Sequence, residues 1–105
     1  MKKNEILVIY GTQYKEITKC LLKEADLAAH IPSKESKIGI KPNLVSPSEA
    51  SYGATTHPEV VAGIIEYLQE YGFYNVIMME GSWVGDKTKN AVSVCGFDKI
   101  WCSIF

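Results

Sequence analysis

Two stretches of the chain concentrate residues able to hold or move charge. Lys41 and Asn43 stand at and just beyond the end of a short apolar run, and Thr55, Thr56 and His57 directly precede a long helical pattern. A strand that ends in a cation beside a helix start supplies positive charge twice, from the ammonium and from the unpaired N–H groups of the first helical turn. That junction suits a phosphate or a carboxylate. Farther on, Glu80-Gly81-Ser82 closes a third apolar run with a carboxylate, a glycine and a hydroxyl. His57 and Glu80 are the proton-transfer candidates, and Lys41, Asn43, Thr55, Thr56 and Ser82 are the ligand-binding candidates.

Each residue also has an ordinary reading. Thr56 with Glu59 three positions later reads first as a capping box, with Pro58 in the first turn where its missing N–H costs nothing. That leaves Thr55 and His57 unexplained. Lys41 ends a strand expected to be buried, so it either meets a ligand, snorkels to solvent, or pairs with Glu80. Asn43 after Pro42 is in a turn-forming setting. His57, Glu80 and Asp86 lack diagnostic ligand spacing, so no metal site is assigned. The run from Gly81 through Gly85-Asp86-Lys87-Thr88 lacks Walker A spacing, and G-x-G-x-x-G does not occur. No cofactor is identified from the sequence.

The elements that must position these residues alternate. Glu5 to Tyr10 is rich in β-branched residues and stops at Gly11, which predicts a strand. A helix is expected from Tyr14 to Ala29, broken at Ile31-Pro32-Ser33, with Lys34 to Lys37 as a solvated turn. A second strand spans Lys37 to Lys41 and a polar loop spans Leu44 to Ala54. A helix from His57 to Tyr71 carries the stripe Val60, Val61, Ile64, Ile65 and Leu68 and closes at Gly72 in the left-handed conformation. Val76 to Met79 reads as a central parallel strand, followed by a glycine-rich loop and a weaker helix from about Lys87 to Val94. The expected fold is a three-layer, Rossmann-like α/β half-sheet in β-α-β-α-β-α order, mainly parallel, with Ile100 to Phe105 available as a short fourth strand. In that topology the loops after all three strands gather along one rim, where open α/β sheets bind ligands.

Composition narrows the function classes. A chain of 105 residues, 47% apolar and 22% charged, is one α/β domain of ordinary globular character, residues 1–105. A formal charge of -1 and the lack of a basic, aromatic-rich stripe argue against nucleic acid as a partner. No run approaches the roughly 18 apolar residues of a membrane span, and the apolar run after Lys3 is too short for a signal-peptide core. A cytoplasmic protein is expected. Cys20, Cys95 and Cys102 form no C-x-x-C pair, which argues against a disulfide framework or a self-contained zinc or iron–sulfur site. Cys20 and Cys95 read as core or boundary residues.

The segments Ile40-Lys41-Pro42-Asn43-Leu44-Val45 and Ala54-Thr55-Thr56-His57-Pro58, with Glu80-Gly81-Ser82 and Cys95-Gly96-Phe97, closely resemble the signature of a family known as domain of unknown function 362. The resemblance covers Ile38 to Phe97 and implies an α/β fold with Lys41, Asn43, Thr55, Thr56, His57 and Glu80 at its site. It carries no settled activity. Relatives resembling this chain are longer, and some bear ferredoxin-like cysteine clusters that have no counterpart here. The resemblance therefore implies a truncated or N-terminal portion of a longer domain. Three readings follow: a binder of a small anion at the strand-end rim; an accessory module whose apolar edge at residues 100–105 pairs with itself or with a missing C-terminal half; or an inactive fragment.

Overall fold

The most regular element is α2 (Pro58–Glu70), and its sequence explains both ends. Pro58 opens it with a φ already suited to the first turn, and the helical period buries Val61, Ile65 and Leu68 on one side. Gly72, at φ +86°, ends it as expected. The Gly72 N–H reaches the Gln69 carbonyl at 3.0 Å and the Phe73 N–H reaches the Leu68 carbonyl at 2.8 Å. These two bonds make a Schellman motif, and buried Phe73 and Leu68 supply its apolar contact. Lys34, read from the sequence as solvated, has a further task here. Its ammonium donates to the Tyr71 carbonyl and lies 4.1 Å from the centre of the Phe73 ring, at the negative end of the helix.

The computed structural model describes residues 1–43, 50–53, 55–79 and 103–104. Besides α2 it contains α1 (Tyr14–Ala25), β1 (Ile38–Ile40), β2 (Val76–Met78) and β3 (Ser103–Ile104), with 3-10 turns at Leu27–His30 and Ala50–Tyr52. The fold is mixed α/β. The strands are parallel in the order β1-β2-β3, with Ile38 opposite Val76 and Met78 opposite both Ile40 and Ile104. Among the described residues the apolar run from Val76 is thus the central strand, and the C-terminal run does contribute a strand, at the margin.

Ile40 and Met78 bury their side chains in one core with Val61, Ile65, Leu68 and Phe73, and Leu22 packs against it. Both helices lie on this face. Gly39, Ile77 and Met79 alternate to the other face, where they border an open apolar groove of about 280 Å³ with Lys37. Among the described residues the arrangement is therefore two-layered; the weaker helix expected at 87–94 lies outside them.

α1 and α2 run side by side in the same direction. Tyr14 meets His57 at one end, and farther along Lys19 meets Glu70. Gly63 makes the approach close, since a Cβ there would fall 2.7 Å from the Lys15 carbonyl oxygen. Outside the contact, Glu66 Oε2 lies 3.3 Å from Lys15 Nζ and 3.4 Å from Lys19 Nζ, and Lys19 Nζ lies 2.6 Å from Glu70. The contact with Lys15, and then that with Lys19, holds the Glu66 carboxyl below its ordinary range. Glu66 Oε2 is shielded from solvent without an aligned hydrogen bond, so these two ammoniums are its compensation.

Two N-terminal expectations are corrected. Residues 5–10 pair with no strand, and Ile6, Val8 and Tyr10 are 85%, 68% and 90% exposed. β-prone composition does not by itself create a ladder; the segment lies along α1 instead. The first helix stops at Ala25 rather than Ala29, because Asp26 adopts the left-handed conformation (φ 53°, ψ 47°) and the chain tightens into the 3-10 turn. That turn is tied to the core, as the Ala28 N–H donates to the buried Tyr67 hydroxyl at 3.1 Å. Cys20 is exposed rather than part of the core.

Candidate functional site

The carboxyl end of β1 and the start of α2 are joined by a two-bond clasp. The Thr56 N–H donates to the Asn43 carbonyl at 2.9 Å, and the Asn43 N–H donates to Thr56 Oγ1 at 2.8 Å. Buried Pro42 precedes the clasp, and its fixed φ directs the chain out of the strand. On the neighbouring strand the Met79 N–H donates to the Ile40 carbonyl at 2.8 Å, so the ladder runs to this same edge.

The clasp changes the reading of Thr56. Its hydroxyl holds Asn43 instead of capping α2, and the N-cap is His57 (φ -64°, ψ 131°), whose side chain makes no capping bond. The capping box expected between Thr56 and Glu59 therefore does not form. The competing donor, Asn43 N–H, is brought in by tertiary contact and takes the acceptor. Glu59 remains in the first turn as an exposed carboxylate, which partly neutralises the helix dipole.

His57 is half-buried, with its ring 4.5 Å from that of Tyr14 and inclined by 58°. Tyr14 is the residue that sequence reasoning missed. It opens α1, and only the parallel packing of the two helices brings both starts to one end. The signal was nonetheless present: Tyr14 begins the helix after the first β-prone run, where a βα unit puts rim residues.

Thr55 is buried and Lys41 is exposed, and neither is without a partner. The exposure of Lys41 accords with a side chain that reaches solvent from the end of the strand, one of the readings the sequence offered. Lys41 follows buried Ile40 directly, at the point where β1 ends. Asn43, Thr56, His57 and Tyr14 thus come together at the edge where β1 ends, with Thr55 and Lys41 adjacent in the chain. Glu80, Ser82 and Asp86 lie outside the described residues. Among those described, no three His, Cys, Asp or Glu side chains cluster, and no helix is long and apolar enough to cross a membrane.

The segment that builds this edge, from β1 onward, lies inside the match to a family model. The model for Domain of unknown function (DUF362) matches residues 38–102, more than half of the chain. The chain belongs to the DUF362 family. The DUF362 match spans the clasp, α2, β2 and the region of Glu80 and Ser82, and it begins at the first residue of β1. Comparison with curated proteins and with solved structures finds no significant match.

Proposed function

We propose that the edge formed by Lys41, Asn43 and the start of α2 binds a small anionic ligand, a phosphate or a carboxylate. What supports the reading is the use made of Thr56. Its hydroxyl serves the Asn43 clasp, so α2 begins without a side-chain cap from its N-cap residue, which favours an anion there against the opposing charge of Glu59 in the first turn. Lys41, one residue from the clasp, adds a full positive charge to this end of the sheet. Thr55 and Ser82 complete the binding set in this reading. His57, oriented by the Tyr14 ring, and Glu80 are the groups for proton transfer if a reaction occurs. In the cell the reading fits a cytoplasmic protein, given an exposed, unbridged Cys20.

The test is thermal unfolding with and without millimolar phosphate or simple carboxylates, on the wild type and on Lys41→Ala. A ligand that binds only the native state stabilises it by about 2.7 kcal/mol at a hundredfold excess over Kd. Anion-dependent stabilisation that Lys41→Ala abolishes is the expected result. An unfolding temperature indifferent to every anion overturns the assignment.

A second reading has its own observation. Among the described residues β3, of two residues, is the last strand of the sheet, so its outer edge is a place for another chain to add. In this reading the chain is an accessory module that pairs through residues 100–105 with a copy of itself or with a C-terminal half. A monomer by light scattering, unchanged on deleting those residues, argues against it.

A further inference from the structure

The N-terminal segment holds an orientation that the rest of the fold does not use. Gly11 abuts α1 near its start, where a Cβ would meet the Ile17 side chain at 2.8 Å. Ile6 and Leu7 border the same gap as Leu21, Leu22 and Ala25, in the last turns of that helix. Residues 5–10 therefore run antiparallel to α1. Because α1 and α2 point the same way and β1 runs opposite to α2, the segment is parallel to β1. Leu7 and Ile9 are half-buried while Ile6, Val8 and Tyr10 are exposed, the period-2 pattern of a strand with one covered face.

The sheet has a matching edge. β1 bonds to β2 through the Ile38 N–H and the Ile40 carbonyl, so alternation along a parallel ladder turns the Gly39 N–H to the opposite edge. Among the described residues no strand pairs there. A right-handed crossover through α1, on the same face as α2, puts a preceding strand on that side of β1. An open depression of about 340 Å³, lined mainly by apolar side chains, lies between the segment and α1, so the segment is not packed closely against the helix along its length.

We propose that residues 5–10 are a strap with two positions: the unpaired one of this structure, and a docked one as a parallel edge strand on β1. Docking carries Leu7 and Ile9 beneath α1 and gives the Gly39 N–H a partner. It also bears on the rim, because only Gly11, Thr12 and Gln13 separate the strap from Tyr14, which holds the His57 ring. The occupant is the chain's own segment, since it is tethered to α1 through Gly11 to Gln13 and already runs in the required direction.

The test is amide hydrogen exchange and nuclear Overhauser contacts on the full chain at two protein concentrations, for the wild type and for Leu7→Asp. The expected wild type is monomeric, shows contacts between residues 6–10 and 38–40, and exchanges the Gly39 amide at least about tenfold slower than Leu7→Asp does. Leu68 amide protection, retained in the variant, reports that the core is folded; the wild-type contacts stand as a second measurement if it is not. Absence of those contacts together with fast Gly39 exchange in the wild type overturns the proposal. Protection that appears only at the higher concentration, in a dimer, overturns it in favour of strand exchange between copies.

Discussion

Gly63→Ala separates local helix preference from tertiary packing by the sign of its effect. In an exposed helix the change would stabilise by about 1 kcal/mol, because alanine loses less backbone entropy than glycine. At this position the new methyl would lie 2.7 Å from the Lys15 carbonyl oxygen and 3.0 Å from Thr18 Cβ. The first neighbour is backbone and cannot rotate away, so the helices must separate by several tenths of an ångström. Overpacking of this kind costs roughly 1–3 kcal/mol, which offsets the propensity gain and leaves a net loss near 1 kcal/mol. For a domain of this size, about 1 kcal/mol corresponds to a fall of ~4–8 °C in Tm. Urea titration followed by far-UV circular dichroism would show a lower midpoint with an unchanged slope. The Tyr14–His57 ring contact should weaken in the same variant, because parting α1 from α2 separates their starts. A variant as stable as the wild type, or more so, refutes the close approach and with it the account of how Tyr14 reaches the site.

Other substitutions test the remaining joints. Thr56→Val should destabilise by about 0.5–1 kcal/mol in chemical denaturation by removing the acceptor of the exposed Asn43 N–H, while Thr56→Ser stays near the wild type. A loss in Thr56→Ser with Thr56→Val near the wild type would assign the effect to the methyl group instead. Tyr67→Phe removes the acceptor of the Ala28 N–H from a buried position and should cost about 1–2 kcal/mol by the same measurement, and no loss would mean that water replaces the hydroxyl. Glu66 has a folded pKa below its ordinary value of 4.5, chiefly through Lys15 and then Lys19, so its ion pairs contribute above that value and are lost as pH falls through the depressed one. Glu66→Gln should therefore flatten the acid limb of the stability–pH profile and reduce its salt sensitivity; an unchanged limb would show that solvent screening leaves the pairs without effect.

Local chemistry and tertiary contact divided the determination of this protein in a way that follows from range. Interactions within a few residues were legible in the sequence. The stripe through Val61, Ile65 and Leu68 defined α2 and its buried face, Gly72 defined its end, and the apolar run at Val76 marked a central strand. The Lys41-Pro42-Asn43 and Thr55-Thr56-His57-Pro58 segments marked the family, and they meet where β1 ends and α2 starts. Wherever one group had two partners to choose from, sequence was not enough. Thr56 could cap its own helix or hold Asn43, and the loop closure that delivers Asn43 decided it. Gly63 and Tyr14 gained their roles only when two helices distant in sequence lay side by side. Residues 5–10 have the composition of a strand, but a strand exists only through a neighbour's hydrogen bonds, and that neighbour is a property of the assembled sheet.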